Sequence, residues 1–493
     1  MSITSAVNGV AAPSKQTLST NYIDFATAGS SDGWAQQYLP DLVEAEAEVF
    51  GNRTISGFLN QVGAEEAMSS DQVVWSEQGR LHLSYYATVN DINDVTGGGG
   101  DSGGMKLTIT KNADGVADTN HGIRVNDTVL VATSGGTVRG LVESVTTAGI
   151  IDVLTYDFAT AEDAGIAAGT HNARVLVYGS EFGKGTDGRS SANTPQFKSY
   201  TNKPIILKDY YEISGSDASQ IGWVEVTGEE GQSGYMWYLK AAGDTRARFA
   251  DYMEMSMLEA VKPVAGSIID NTASTGISQE ATGVNYGTEG LFAAIEARGN
   301  VTTGVTGVNA ATDLAEFDAI LAEFDKQGAI EENMMFVNRA TALAMDDMLA
   351  SMNSYGAGGT SYGVFNNSED MALNLGFSGF RRGSYDFYKS DFRYLNDKAT
   401  RGGINDAYGA GAIRGVVIPA GTSSVYDQQL GKNLKRPFLH VRYRASQLES
   451  RKMKTWVTGS VGAATSDLDA MTVNFLSERC LITQGANNFM LMN

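Results

Sequence analysis

The sequence predicts an α+β fold, and three features of its 493 residues indicate it. A long amphipathic helical pattern covers residues 235–262. A run of short strand patterns at residues 96–185 lies between two glycine-rich stretches, as an inserted domain would. From residue 276 to residue 430, helical and strand patterns alternate, which is typical of an α/β lobe.

The helical pattern at residues 235–262 is the clearest of these features. Its apolar and small residues recur at steps of three, four and seven, so they form one stripe along a helix. Pro263 ends the helix, because a proline disfavours the helical conformation of the residue before it. At about 1.5 Å per residue the helix would be roughly 40 Å long. It is either a core helix of a large α/β enzyme or a spine that carries a flat, sheet-like subunit. The stripe contains Tyr235, Tyr238, Leu239, Ala242, Phe249, Tyr252, Met253, Met257, Ala260 and Val261.

Composition limits the classes of function. The net charge of −21 argues against a free-standing nucleic-acid or anionic-membrane binder. Cys480 is the one cysteine, so no disulfide forms within the chain. No apolar run approaches the ~20 residues that span a bilayer, and the first residues lack a secretory pattern. We therefore expect a soluble intracellular chain, or one released by lysis, without a membrane partner.

The N-terminal region, residues 1–66, is predicted to be a polar arm followed by a helix at residues 34–50. This helix is acidic and has only a narrow apolar edge, so it has little to bury against itself. We expect it to pack on something else. The acidic residues are Glu44, Glu46 and Glu48, and the apolar edge is Leu42, Val43 and Val49.

The inserted domain at residues 96–185 is predicted to be a small all-β barrel or sandwich. Its strand patterns cover residues 107–110, 123–132, 137–145, 150–156 and 173–178. The flanking segments, residues 67–95 and 186–228, read as a long two-stranded excursion from a parent domain. We expect strands at 204–207 and 210–213 to pair with residues 73–89.

The remaining boundaries follow from the patterns after the excursion. Residues 229–275 carry the long helix, residues 276–430 form the second α/β lobe, and residues 431–493 contribute C-terminal strands. Within the lobe, residues 312–327 read as a helix and residues 334–337 as a buried strand, after which Asn338 caps a helix. His440 is the polar step of an alternating strand at 439–444, which favours a surface or interface position.

No motif requires an enzyme, a cofactor or a metal. Residues 29–33 fit G-x-S-x-G but lack the preceding strand that a hydrolase needs. Residues 98–103 fit G-x-G-x-x-G, but a strand follows them, so no helix N-terminus is available for a phosphate. The four histidines and one cysteine have no zinc spacing. Around residues 112–120, Asn and Asp side chains could ligate calcium, but the bidentate Glu is missing and a hairpin turn is favoured.

One basic tract stands out in this acidic chain. It contains Lys432, Lys435, Arg436, Arg442, Arg444, Arg451, Lys452 and Lys454, with Glu449 as its one acid. It is either a solvated strand face, or it meets an acidic surface of another copy, such as the 34–50 helix, or nucleic acid. The residues predicted to lie at contacts between subunits are Trp34, Tyr38, Glu44, Glu48, Arg442 and Arg444.

The chain also resembles a known family. The order of arm, long strand pair, long helix, α/β lobe and terminal sheet resembles the major capsid protein of tailed bacteriophages, the Hong Kong 97-type fold. The C-terminal region is similar to capsid proteins of crAss-like phages, which also carry an insertion in the extended loop. The residues that carry the likeness are 415–422, 436–438, 441–444, 477–481 and 485–489.

The resemblance implies a structural role in the virion. It implies an N-arm, an E-loop over residues 73–226 that holds the insertion, a P-domain with the spine helix, and an axial A-domain. The chain would self-assemble as hexamers and pentamers into an icosahedral shell around double-stranded DNA, bound without sequence specificity. Portal and decoration proteins would be its other partners, and the host bacterial cytoplasm its place of assembly. The family has no catalytic residues.

Two other classes of protein stay open at this stage. A secreted adhesin or surface-layer protein would share the acidic, glycine-rich, cysteine-poor composition, but we expect it to carry an export signal. A β-rich polysaccharide-degrading enzyme would need a groove of paired carboxylates and aromatic side chains. The sequence leaves open the triangulation number, the role of the insertion, N-terminal processing, scaffold and decoration partners, and the host.

Overall fold

A computed structural model gives a mixed fold in which strands predominate. Residues Ser76–Tyr200 form one compact unit, and the residues on either side form the other. The predicted 34–50 helix and the 29–33 and 98–103 motifs lie outside the described residues. The structure describes residues 64–78, 82–92, 104–113, 115–146, 149–159, 162–166, 171–189, 197–218, 226–227, 233–234, 237–264, 267, 287–353, 379–407, 411–420, 422–427, 432–460 and 465–493.

The first elements are strands, most of them in the Ser76–Tyr200 unit. They are β1 (Ala64–Met68), β2 (Val73–Gln78), β3 (Ser84–Ile92), β4 (Met105–Lys111), β5 (Asp127–Thr133), β6 (Thr137–Val145), β7 (Ile150–Thr155) and β8 (His171–Ser180). The later elements are β9 (Phe197–Asn202), β10 (Ile205–Ser214), α1 (Gly215–Ala218), β11 (Val226–Thr227), β12 (Ser233–Gly234), α2 (Trp237–Glu259), α3 (Leu291–Arg298), β13 (Asn300–Thr302), α4 (Ala310–Gln327), β14 (Glu332–Val337), α5 (Arg339–Asn353), β15 (Gly379–Arg382), β16 (Tyr385–Asp391), α6 (Arg393–Asn396), α7 (Arg401–Ala407), β17 (Gly415–Pro419), β18 (Thr422–Asp427), β19 (Lys432–Pro437), β20 (Leu439–Arg444), β21 (Lys454–Gly459), β22 (Ala470–Thr483) and β23 (Met490–Met492).

Strands β3 to β8 close into a barrel in the order β3-β4-β7-β6-β5-β8. Alternate residues point inward, so Leu107, Val129 and Val153 are fully buried in its core. Each strand pairs on both edges, which leaves no open edge. The structure shows a barrel rather than a sandwich. It also includes β3, which the sequence assigns to the excursion.

A second, open sheet has the order β1-β20-β22-β10, with β21 also paired to β22. Strand β22 pairs along one edge with β20 and β21 in succession, and along its other edge with all of β10. The predicted pairing of residues 204–213 with 73–89 is therefore wrong. Strand β2 pairs with β9 instead, and β22 offers β10 a longer antiparallel partner with apolar residues on its helix-facing side.

Helix α2 packs on one face of this sheet. Phe249 and Met253 of the helix cluster with Phe475 of β22, and the two Phe rings lie 6.1 Å apart. The helix ends at Glu259, ahead of Pro263. Tyr252, which the predicted stripe includes, is 46% exposed because the buried arc passes to one side of it.

The lobe after α2 is built on a mixed six-stranded sheet, in the order β13-β23-β17-β14-β16-β15. Both faces are covered, so β17 is buried along its whole length. Val416 and Ile418 join a core with α2, α3 and β20, whereas Val417 faces the core formed with α4 and α5. This explains why the strand is apolar throughout instead of alternating.

Helices α4 and α5 of this lobe each begin at an asparagine cap. The Asn309 side chain accepts a hydrogen bond from the Thr312 N–H at the start of α4. Asn338 accepts one from the Thr341 N–H at 2.8 Å, which confirms its predicted capping role. Helix α4 ends at Gln327 and is capped by Gly328, whose φ of 65° is the left-handed conformation that favours glycine.

Candidate functional site

The described residues contain no group of three or more His, Cys, Asp and Glu side chains that could hold a metal. The turn considered for calcium uses its polar side chains internally. Asn112 accepts the Val116 N–H and Asp118 accepts the Asn120 N–H. This arrangement is a polar hairpin turn.

The thiol and imidazole groups are placed as structural side chains. Cys480 is buried, and burial raises the pKa of its thiol to about 12, so it stays protonated. His440 is only 1% exposed, with Nδ1 3.3 Å from the Pro437 carbonyl oxygen. The prediction of a surface or interface position is wrong, because β20 is an interior strand between β1 and β22 and the His440 side chain is buried within the chain. Burial lowers the pKa of His121, which packs edge-on against Tyr85.

Several charged side chains form an ion-pair ladder where β1, β20 and β22 meet. Arg442 pairs with Glu66 at 2.9 Å, and Arg444 pairs with Asp71 and with Glu478. The other members of the ladder are Arg451 with Glu478, and Lys452 and Arg479 with Glu65. Strand β1, the first described element, is thus fixed by charge as well as by parallel pairing with β20.

Arg479 lies at the buried centre of the ladder. Its pKa is lowered by burial, against which the nearby Glu65 and Glu254 carboxylates favour the charged form. Its Nε donates to Ser477 Oγ at 2.9 Å and its Nη2 donates to the Lys452 carbonyl oxygen at 2.9 Å. A buried guanidinium with these partners holds β22 to its neighbours, and removing it would take one cationic partner from Glu65, which keeps its pair with Lys452.

Two of the predicted contact residues lie in the ladder. Arg442 and Arg444 bond to acids of their own chain and are only partly exposed, with side-chain exposures of 18% and 28%. Their role at a contact between copies stays a prediction, as does that of Trp34, Tyr38, Glu44 and Glu48, which lie outside the described residues. Periodicity alone does not show that Glu66 faces Arg442 across parallel strands.

The open sheet also carries a cavity of about 720 Å³ on the face opposite α2. Cross-strand partners share a face, so Tyr210, Asn474 and Trp456 form one row. Lys208, Leu476 and Lys454 form the next row. We call this cavity the outer groove; it is lined by Lys208, Asp209, Tyr210, Glu449, Arg451, Lys454, Trp456, Asn474, Phe475 and Leu476.

The outer groove combines apolar surface with cationic side chains. Tyr210 is 62% exposed, whereas Leu476 is buried in the floor. The Lys454 ammonium lies 5.5 Å from the centre of the Trp456 ring and pairs with Glu449 at 2.7 Å. The sequence interpretation missed this surface. Ile206, Lys208 and Tyr210 are every second residue of one strand, so they share a face. This spacing could have indicated the surface from the sequence.

The edge of β10 adjoins the groove. Among the described residues β10 has β22 as its strand neighbour and none on its other side. The Tyr210 N–H donates to the Asp209 carboxylate, 2.9 Å away, instead of to another strand. Such an edge is a template for further pairing.

The solved structures that are similar to this chain include several from bacteriophages. No family model and no curated protein matches the chain. A solved structure titled as the capsid of cyanophage P-SCSP1u is 10% identical, covers 97% of each chain and has a TM-score of 0.38. A structure from Microbacterium phage Oxtober96 is 9% identical, covers 95% of this chain and 99% of its own, and scores 0.36. A bacteriophage PhiM1 mature capsid scores 0.32 at 10% identity over 64% and 78% of the two chains. TM-scores this low do not establish a shared fold.

Among the residues that the structure describes, no helix is both long and apolar enough to cross a bilayer.

Proposed function

We propose that this chain is the major capsid protein of a bacteriophage, which self-assembles into an icosahedral shell around double-stranded DNA. The order of its elements supports the proposal. A barrel unit is followed by the long helix α2, then by an α/β lobe, and last by strands β20–β22 that share a sheet with β10. This is the order that the Hong Kong 97-type resemblance implies.

Within that proposal the parts take the family's roles. Helix α2 is the spine of the P-domain, the lobe after it is the A-domain, and the barrel is the insertion carried by the E-loop. The chain has no catalytic role. It acts in the virion and is assembled in the host bacterial cytoplasm as hexamers and pentamers. Its partners are further copies, portal and decoration proteins, and DNA held without sequence specificity.

The observation that carries the proposal is the unfinished open sheet. Among the described residues, the ten-residue strand β10 has no strand partner on its outer edge, beside an exposed groove, while the opposite face of the sheet is packed on α2. Such a surface is satisfied when another polypeptide covers it. Repeated around a closed symmetric shell, many modest contacts of this kind add up to a stable particle.

The predicted contact residues fit this mechanism as proposals. Arg442 and Arg444 hold β1, which connects the N-terminal region to the body, and therefore position that region for neighbouring copies. Trp34, Tyr38, Glu44 and Glu48 would then make the contacts themselves.

Electron microscopy of the purified chain over a range of concentrations tests the proposal. We expect rings, tubes or closed shells above a threshold concentration, because assembly depends on many simultaneous contacts. Monomers that remain dispersed at every concentration and salt condition would contradict it.

A further inference from the structure

The barrel carries apolar side chains on its outside as well as in its core. Leu130 is the cross-strand partner of Arg139 on β6 and of Leu176 on β8, so these three side chains share a face. Their chain neighbours Val129 and Val175 are fully buried in the core. Because side chains alternate along a strand, the shared face of Leu130, Arg139 and Leu176 points out of the barrel.

Two exposed tyrosines extend this outward face. The Tyr156 N–H donates to the Arg139 carbonyl oxygen, which places Tyr156 at the end of the same row. Tyr178 lies two residues after Leu176 on β8, at a bulge where the pairing with β5 shifts register. Tyr156 is 49% exposed and Tyr178 is 54% exposed. We call the surface formed by Leu130, Arg139, Tyr156, Leu176 and Tyr178 the barrel patch.

The tyrosines of the barrel patch differ from another exposed tyrosine of the barrel. The Arg174 guanidinium covers the ring of Tyr86, 4.0 Å from its centre. The Tyr178 ring has no stacked ring or cation among the described residues. The Tyr156 hydroxyl donates to the Glu181 carboxylate, which fixes the position of its ring. The faces of the Tyr156 and Tyr178 rings are therefore open to a ligand, whereas that of Tyr86 is used within the chain.

Charge at the barrel patch favours a neutral ligand. Arg139 is paired with Asp157 at 3.4 Å, and Glu181 adds a carboxylate beside Tyr156. Over residues 76–200, acidic side chains outnumber basic ones. Bases of a single-stranded nucleic acid would also stack on exposed tyrosines, but these carboxylates would repel its phosphates.

The size and chemistry of the barrel patch fit a short carbohydrate chain. From the line of β7 to β8 the patch crosses three strand spacings, which is roughly 14 Å at the ~4.8 Å separation of paired strands. Tyrosine rings can pack on the apolar C–H faces of sugar rings, while a carboxylate and a guanidinium bond to the sugar hydroxyl groups. A standard protein interface takes about 20–30 residues from each side, many more than this patch contains.

We propose that the barrel patch binds a neutral oligosaccharide. The rings of Tyr156 and Tyr178 pack against the sugar faces, and Glu181 and Arg139 form hydrogen bonds with the sugar hydroxyl groups. Binding makes and breaks no covalent bond. This ligand site goes beyond the proposed capsid function, because it belongs to a single chain and requires no contact between copies.

Isothermal titration calorimetry of the dispersed full-length chain tests the proposal, with maltohexaose, cellohexaose and mannohexaose as the probes. At least one of these neutral hexasaccharides should bind saturably at about millimolar concentration or below. Tyr178→Ala should weaken that binding about tenfold or more, because it removes a stacking surface. Tyr210→Ala, which removes an equally exposed tyrosine from the open sheet, is the matched control and should leave binding unchanged.

A pair of substitutions at Tyr156 separates its ring from its hydroxyl. Tyr156→Phe keeps the ring and should weaken binding only about twofold to fivefold, whereas Tyr156→Ala should weaken it about tenfold or more. Urea denaturation of each variant checks that the barrel remains folded. Equal losses in the two variants would show that the ring does not stack on the sugar and would contradict the proposed binding mode.

The other possible results overturn the proposal. Failure of all three hexasaccharides to bind, or binding that Tyr178→Ala leaves unchanged, would remove the barrel patch as a carbohydrate site. Tighter binding of a thymidine hexanucleotide than of any hexasaccharide, lost in Tyr178→Ala, would assign the patch to nucleic acid. Self-association that Tyr178→Ala abolishes, without sugar binding, would make it a contact between copies.

The calorimetric result is independent of the capsid proposal. A chain that forms no particles but binds a hexasaccharide through Tyr178 would contradict the capsid proposal and leave the carbohydrate site standing. A chain that forms shells but binds none of the three hexasaccharides would do the reverse.

Discussion

The barrel is antiparallel throughout, and the open sheet is antiparallel except for its β1–β20 pair, but the two sheets end differently. Barrel strands β3 to β8 pair around a closed circle, and interior residues such as Val129 and Val153 are fully buried. Within the part of the chain that the structure describes, the open sheet has β1 as its last strand on one side and β10 on the other. It keeps charge at its β1 side and an exposed groove near β10. Closure of a barrel pairs the backbone N–H and C=O groups of every strand within the sheet. The edge strands of an open sheet keep unpaired groups that another chain can cover.

The largest expected difference concerns independent folding. A fragment of residues 76–200 should fold alone and unfold cooperatively on heating, because its core and strand pairing are complete within the barrel. A fragment of residues 201–493 should be poorly soluble, because it lacks β1 and exposes the edge of β20. Circular dichroism and light scattering measure both outcomes. An unfolded barrel fragment beside a soluble, folded second fragment would reverse the comparison.

The barrel core should be the next most sensitive place. Leu107 is fully buried, so Leu107→Ala should destabilise the barrel fragment by about 2–5 kcal/mol in urea denaturation. Leu176→Ala is the matched control, since Leu176 is 38% exposed, and it should have a much smaller effect. Equal effects of the two changes would mean that the interior of the barrel is loosely packed.

In the open sheet, the buried centre of the ion-pair ladder should contribute more to stability than an exposed ion pair does. Arg479→Ala should lower the free energy of unfolding by about 3 kcal/mol, because it removes a buried charge with its hydrogen bonds to Ser477 and to the Lys452 carbonyl oxygen and takes one cationic partner from Glu65. It should shift the non-barrel transition of full-length unfolding and leave the barrel transition unchanged. Arg139→Ala, which breaks an exposed pair with Asp157 in the barrel, should change stability little. A negligible effect of Arg479→Ala would remove the ladder from the forces that hold β1 and β22.

Cys480 gives a smaller, pH-dependent effect in the same sheet. Burial raises the pKa of its thiol from 9.0 to about 12, so the folded state keeps a proton that the unfolded state loses. Its contribution to stability is therefore full below about pH 9 and falls as the pH rises toward about 12. Cys480→Ala should be less sensitive than wild type when unfolding is compared at about pH 8 and about pH 10. An identical pH dependence, or rapid reaction of the native thiol with Ellman's reagent, would contradict this burial.

Local patterns in the sequence predict much of this fold. The boundaries of β6 and β20 match the predicted strands at 137–145 and 439–444, because alternation is visible within each segment. The Asn338 cap is equally local. The pairing partner of a strand is not visible in this way. Nothing in the sequence of residues 205–214 shows that they pair with β22 instead of residues 73–89.

The candidate site shows the same limit. The basic tract is visible in the sequence, but its neutralisation depends on Glu65, Glu66 and Glu478 being brought beside it by strand order. His440 looks like a surface residue in its own strand and is buried because two other strands flank β20. Non-local pairing therefore decides which charged side chains are neutralised within the described part of the chain.

Hydrogen exchange along β10 tests the central claim most directly. Backbone amides of Ile205–Ser214 should exchange faster at the free edge in the dispersed chain and become protected on assembly, while barrel amides stay protected in both states. Assembled particles in which β10 exchanges as it does in the dispersed chain would show that the open sheet is not where copies meet.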